Sequence, residues 1–441
     1  MNCQERSRLE KKSKSSDERK NKLQESEETK QILPDGGLES WLQVLKSHLL
    51  IIVSWGIVNS YGIFQTYYKS ELLKEYPISS ISCIGTVQGF AIILIGFFIS
   101  PAYDRGYTQS LIISGSFLIV FGLLMMSVST KYYQIFIYQS ICIGIGSGCI
   151  FIPALGVLPK YFDKRISLAT GIAASGAGIG GLLFLLLFQN LIYRIGFGWT
   201  MRVFALFSFL LLVIGIIITE LYKVPHQQPP PFNFSSLNEH AFMIFNVSIF
   251  FIFISIYFPY FYIPDYGKSV GLSDFSAYYV SIINLSSIFG RVIPSFFADR
   301  KGPLNMLIVS TSCLVILTYA WIYIRTVAGL IVFSILYGFF AGTSMSLPTS
   351  VVIKLSSNLS YIGTQMAVSF GFSGIGFLIG SPIIGVILSH SKNTFFWAQV
   401  FSATIMLIGV LGLLLIKFIK RSHHPSFKAP VPLNLRFYHQ L

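Results

Sequence analysis

Charge is scarce in this chain. Asp, Glu, Lys and Arg make up 11% of its 441 residues, while 53% are hydrophobic. Soluble domains carry about 25% charged residues, so a water-facing globule of this length is excluded. Acids are the scarcer sign, 18 against 32 Lys and Arg, giving a net charge of +14. That excess does not point to nucleic acid, because the basic residues flank apolar stretches and topology explains them better. The five cysteines (Cys3, Cys83, Cys142, Cys149 and Cys313) are scattered, with neither zinc spacing nor a disulfide framework. The apolar stretches hold no histidine cluster, so neither an enzyme nor a bound metal or cofactor is expected. The glycines between Gly171 and Gly181 precede no Lys-Ser/Thr and follow no strand, which excludes a phosphate loop. Residues 1–40 contain no apolar run, so no signal peptide is expected there.

What the chain has instead is twelve apolar stretches. They lie near 45–67, 83–102, 108–128, 133–158, 167–192, 201–222, 241–263, 275–298, 304–324, 327–350, 362–388 and 394–419. Crossing a hydrocarbon core of about 30 Å takes about 20 residues at 1.5 Å each. An all-α membrane protein with twelve transmembrane helices is therefore predicted. Its longest break, KVPHQQPPPFNFSSLNEH at 223–240, carries a proline run that cannot continue a helix. The predicted organisation is a disordered tail over 1–43, six helices over 44–222, a linker over 223–240, six helices over 241–419 and a basic tail over 420–441. Nine Lys and Arg precede the first helix, and Lys420, Arg421, Lys428 and Arg436 follow the last. The positive-inside rule then puts both tails and the linker in the cytoplasm. The plasma membrane is the expected location, with a vacuolar or other internal membrane as the alternative.

The halves repeat. Asp104-Arg105-Gly106 recurs 195 residues later as Asp299-Arg300-Lys301-Gly302, and Gly144-xxx-Gly148 recurs 194 residues later as Gly338-xxx-Gly342. Lys160 and Lys354 are also 194 apart. Two six-helix pseudo-repeats around a central path resemble the major facilitator fold.

Longer segments carry a narrower likeness. PDGGLESW at 34–41 and YFDKRISLATGIAASGAGIGG at 161–181 resemble two signatures of the monocarboxylate transporter family. Residues 54–68, 290–302 and 337–352 are similar to its fungal branch, which includes riboflavin-transporter-like proteins. That resemblance runs from about Pro34 to Ile419. It implies alternating-access transport of a small organic solute: a monocarboxylate-like anion, riboflavin or a related metabolite. It also implies that Asp104, Arg105, Asp299 and Arg300, with Asp35, Lys164 and Arg165 on the same face, pair with helix ends and gate the inner side. The sequence departs from the proton-coupled members at two places. Gly62 stands where they have a lysine, and Ser287 where they have an aspartate four residues before an arginine. Weak dependence on a proton gradient follows, although protons stay the candidate coupling ion and Asp265 another carboxylate.

Within the stretches one residue stands out. Arg291 is the only deep charge, and an arginine at a span's centre costs about 2.5–3.5 kcal/mol by insertion scales. Ser281, Asn284, Ser287 and Arg291 recur at helical spacing along one face, which suits an anionic or strongly polar group. The alternative is a structural arginine satisfied by carbonyls. Asn59, Gly62 and Thr66 form a weaker stripe that reads as substrate path or as helix packing. Tyr257, Tyr260 and Tyr262, beside Pro259 and Pro264, read as an interfacial belt or as a stacking surface, and Tyr337 as path-lining or interfacial. The partners expected are a small organic solute and the lipid bilayer. A transporter-like nutrient sensor without significant flux is the alternative function.

Overall fold

The computed structural model describes residues 36–221, 240–272, 276–355, 362–391 and 394–423, and among these it is helical with no strand. Among the described residues, eleven helices are long and apolar enough to cross a membrane. The longest, Ile166–Leu221, runs for 56 residues with non-helical geometry inside it at Gly196 (φ 75°, ψ 172°). Phe184 packs on Phe204 and Phe207 at ring distances of 4.9 and 5.7 Å, and Phe188 packs on Phe204 at 6.4 Å. These pairs straddle Gly196 almost symmetrically, so the chain folds back on itself there. The loop expected between 192 and 201 is thus reduced to one glycine, whose left-handed φ only a residue without Cβ adopts at no steric cost.

With that division the described residues form twelve helices. They are α1 (Leu38–Leu72), α2 (Ile78–Asp104), α3 (Thr108–Met126), α4 (Tyr132–Lys160), α5 (166–195), α6 (197–221), α7 (His240–Ser269), α8 (Ser276–Lys301), α9 (Pro303–Tyr323), α10 (Val327–Leu355), α11 (Ile362–His390) and α12 (Phe396–His423). The face at which α1 begins is called proximal below, the opposite face distal. Asp35 and the segment 222–239 lie outside the described residues, as do most of both tails.

Glycines set the packing within each half, and they do so twice. A methyl on Gly144 or Gly148 of α4 would meet the α2 carbonyls of Gln88 and Ile92 at 3.1 and 2.8 Å. Gly338 and Gly342 of α10 sit in the same way against the α8 carbonyls of Ile283 and Ser287, 194 and 195 residues on. Likewise Gly176 and Gly180 of α5 press on the α1 carbonyls of His48 and Ile52. Gly376 and Gly380 of α11 press on those of Phe250 and Ile254 in α7. Lipid offers no hydrophobic drive between helices, so close backbone approach at small residues is what fastens them. The pseudo-repeat read from the Gly-xxx-Gly pairs is therefore a repeat of backbone contacts.

The first helix of each half is broken near mid-membrane. In α1 the regular helix stops at Asn59 and restarts at Tyr61; in α7 it stops at Ser255 and restarts at Phe258. Pro259 explains the second break: its ring would clash with the carbonyl four residues back, yet it is tolerated at the start of a new segment. Side chains of neighbouring helices take up the freed carbonyls. Asn284 Nδ2 donates to the Asn59 carbonyl at 3.3 Å, and the Tyr337 hydroxyl donates to the Ile256 carbonyl at 2.9 Å. Because α7 continues to Ser269, Tyr257, Tyr260 and Tyr262 are buried inside the bundle (4%, 0% and 0% exposed). The interfacial-belt reading of these tyrosines is corrected: Pro259 restarts the helix, and Pro264 lies within the restarted segment without ending it.

Candidate functional site

Where the two halves meet on the distal side, aromatic rings close the space. Tyr61 of α1 packs edge-on against Phe261 of α7 at 5.4 Å, and Phe377 of α11 meets Tyr257 at 4.5 Å and Phe261 at 6.1 Å. The Tyr61 hydroxyl donates to the Ile81 carbonyl of α2, fixing that ring. Gly62 lets α7 come close: a Cβ there would lie 2.6 Å from the Tyr260 carbonyl oxygen.

Below this seal a cavity of about 60 Å³ is lined from α1, α2, α4 and α5 of one half and α7, α8, α10 and α11 of the other. Its walls repeat at the offsets of the glycine contacts. Ile51 and Trp55 correspond to Phe253 and Tyr257, Phe151 and Leu155 to Met345 and Thr349, and Thr170 to Phe370. Most of these side chains are apolar or aromatic. Hydroxyls enter from Thr170, Ser346, Thr349 and Ser373. At this volume the space takes only a few water-sized molecules, so accommodating a solute requires the halves to move apart.

Arg291 breaks the symmetry. It lines the cavity at 2% exposure, while the position 195 residues earlier is Gly96. One guanidinium nitrogen donates to the Ala174 carbonyl of α5 at 2.7 Å, and another reaches the Met345 sulfur at 3.4 Å. The Nε–H has no partner, and no carboxylate pairs with the group among the described residues. Burying an ion costs several kcal/mol even after relaxation. One carbonyl and one weak thioether acceptor offset only part of that, leaving a planar donor set that matches a carboxylate or another anionic oxygen pair.

The other expected path residues are placed differently. Tyr257 lines the cavity. Asn59, Asn284 and Ser287 are buried just distal of it, where α1, α5 and α8 meet. There Asn59 Nδ2 donates to the Ala177 carbonyl at 3.1 Å and Ser287 Oγ to the Asn284 carbonyl at 2.8 Å. Thr66 is half-buried and bonds the Gly62 carbonyl of its own helix at 3.0 Å. Tyr337 is wholly buried and tied to the α7 break, away from the cavity wall.

On the proximal side Asp299 of α8 accepts the backbone N–H groups of Ser167 and Leu168 at 2.9 and 3.1 Å, capping α5 of the other half. A helix N-terminus presents unsatisfied donors and partial positive charge, which suits a carboxylate. This aspartate therefore pairs with a helix end and not with a basic side chain. Arg165 starts α5 and Arg105 ends α2, both exposed, as is Lys164. Arg300 lies over the Phe296 ring at 5.1 Å. The Asp104 side chain lies outside the described set.

Sequence reasoning missed the aromatic walls. Trp55, Phe151, Phe253 and Phe370 resemble any lipid-facing aromatic in sequence. The repeat offset offered a signal only for Trp55, which recurs as Tyr257; Phe151, Phe253 and Phe370 pair with Met345, Ile51 and Thr170.

Among the described residues, twelve helices in two repeats, around a central cavity whose lining includes one charged side chain, define a multi-pass transporter of small solutes. The family profile described as Major Facilitator Superfamily matches residues 43–358, and the chain belongs to that superfamily. It is similar to the MFS-type transporter dbaD of Emericella nidulans, 38% identical over 362 residues that cover 82% of each protein. The Aspyridones efflux protein apdF of the same organism is 32% identical over 85% of this chain and 77% of its own length. The Agnestins efflux protein AgnL12 of Paecilomyces divaricatus is 33% identical over 85% and 87%. Among solved structures, the superfamily transporter FucP in its outward conformation superposes with a TM-score of 0.66 at 16% identity, over 85% of this chain and 98% of that one. The family and these relatives are transporters, not enzymes.

Proposed function

We propose that the chain exports a small, largely apolar organic acid, or a metabolite with a comparable anionic oxygen pair, by alternating access. The observation that carries this is Arg291: a buried guanidinium without a carboxylate partner, on the wall of an otherwise apolar cavity. Rings at Trp55, Phe151, Phe253 and Phe370 favour a flat, conjugated cargo over a short carboxylate such as lactate. Two relatives are named as efflux proteins for aspyridones and agnestins, which supports export. The signature-like segment at 161–181 supports an acid.

In this reading the proximal face is cytoplasmic, because the Lys and Arg residues of both tails flank it, and the membrane is the plasma membrane. The distal seal of Tyr61, Tyr257, Phe261 and Phe377 is the outer gate. The Asp299 cap on α5 is a latch of the inner one, with Arg105, Lys164, Arg165 and Arg300 around it. Gly62 and Ser287 stand where the proton-coupled carriers that the sequence resembles have an ionisable pair, so net flux follows the solute gradient more than the proton gradient. Counterflow in proteoliposomes tests this. Vesicles preloaded with a naphthoic acid are expected to take up labelled naphthoic acid, with the matching neutral amide a poor substrate. Equal exchange of acid and amide, or none of either, would overturn the reading.

A further inference from the structure

Just distal of the cavity, two carboxamides meet with their oxygens unused. Asn59 of α1 and Asn284 of α8 are 1% and 0% exposed, and neither Oδ1 accepts a hydrogen bond. Their orientations are not arbitrary. Asn284 Nδ2 donates to two carbonyls, Val280 at 3.1 Å and Asn59 at 3.3 Å, and Asn59 Nδ2 donates to that of Ala177. Flipping either amide would set its oxygen against a carbonyl oxygen, so both Oδ1 atoms are acceptors without donors.

Both side chains pack against Gly181 of α5. A methyl on Gly181 of α5 would lie 2.6 Å from Asn284 Oδ1 and 2.8 Å from Asn59 Cβ. Nearby lies the hydroxyl of Tyr260, buried on α7 beside Ser287. The junction touches the cavity through Ala177, which lines the wall and whose carbonyl holds Asn59. It also spans the halves, since Asn59 and Gly181 belong to the first and Asn284 to the second. Their separation would expose both oxygens to the path.

We infer that this junction is a second recognition point for the solute: its two amide oxygens take a hydroxyl or N–H donor while Arg291 holds the acidic group. Asn284 and Arg291 lie seven residues apart on α8, about 10 Å along the helix. The cargo is therefore an acid that carries a hydrogen-bond donor at the far end of a rigid, flat body. This rests on the assignment of Arg291 to the path.

Isothermal titration of the purified chain in nanodiscs tests it, with a hydroxynaphthoic acid (hydroxyl and carboxylate at opposite ends of the rings) and its methyl ether. Wild type is expected to prefer the hydroxyl compound by about three- to tenfold, the range of one neutral hydrogen bond. Asn284→Ala should bring that ratio close to one. Asn59→Ala should do the same, and it provides the test should loss of the cross-helix bond keep Asn284→Ala from folding. Arg291→Gln should weaken both compounds alike and leave the ratio intact. An unchanged ratio in folded Asn59→Ala and Asn284→Ala, with Arg291→Gln still weakening both, overturns the junction alone. Equal binding of both compounds by wild type also overturns it. Binding of both compounds that is indifferent to Arg291→Gln overturns the underlying path.

Discussion

Gly62→Ala is the sharpest probe of how the distal gate closes. The added methyl would sit 2.6 Å from the Tyr260 carbonyl oxygen and 3.8 Å from Val280 Cγ2. Relaxed carbon–oxygen contacts fall near 3.3–3.6 Å, so α1 and α7 must move apart by roughly 1 Å. The close contact is with backbone, and a carbonyl in a packed helix cannot swing aside as a flexible side chain would. Overpacking of this kind costs about 1–3 kcal/mol. The cost falls on the distal-closed state alone, because the methyl faces open space once the halves part. A differential of that size shifts a two-state equilibrium by about five- to 150-fold. Spin labels at Glu75 and Arg325, exposed on distal loops of opposite halves, report the separation by pulsed dipolar spectroscopy. The expected outcome is a longer distance distribution in Gly62→Ala, slower turnover and little change in melting temperature. An unchanged distribution in well-folded protein would refute the idea that this glycine governs closure.

Two further substitutions separate latch from scaffold. Asp299→Ala removes the cap on α5, worth about 0.5–2 kcal/mol; a cysteine introduced at Ser346 on the cavity wall should then react faster with a water-soluble thiol reagent, and an unchanged rate would remove Asp299 from the latch. Tyr337→Phe leaves the Ile256 carbonyl at the α7 break without its donor, a loss of about 1–3 kcal/mol; thermal melting should fall while affinity for a naphthoic acid stays the same, and the opposite pattern would move Tyr337 into the binding site.

Much of the architecture was legible because membrane spans are read from length and charge, and because glycine pairs repeated at one offset. Arg291 was legible for the same reason: a guanidinium among apolar residues has few structural uses. The α5–α6 turn was not, since a single glycine in apolar sequence carries no mark of its φ. The tyrosines of α7 were misplaced because they lie beside Pro259 and Pro264 at the end of the predicted stretch 241–263, whereas a proline can equally open the next helical segment. Thr66 and Tyr337 share faces with candidate path residues, but their hydroxyls bond backbone carbonyls. Which hydroxyl finds a carbonyl depends on the neighbouring helix, and helical spacing does not encode that. The junction of Asn59, Gly181 and Asn284 joins three helices from both halves, so no local pattern announced it.

The role of Arg291 is tested most directly by counterflow of a naphthoic acid in proteoliposomes containing wild type, Arg291→Lys or Arg291→Gln, each checked for melting temperature. A charge-assisted hydrogen bond is worth about 1.5–3 kcal/mol, or roughly ten- to 150-fold in affinity. The expected result is a loss of that order in Arg291→Gln, a smaller one in Arg291→Lys, which keeps the charge without the planar fork, and near-normal melting for both. Wild-type kinetics in folded Arg291→Gln would contradict the assignment of the cavity as an anion-binding transport path.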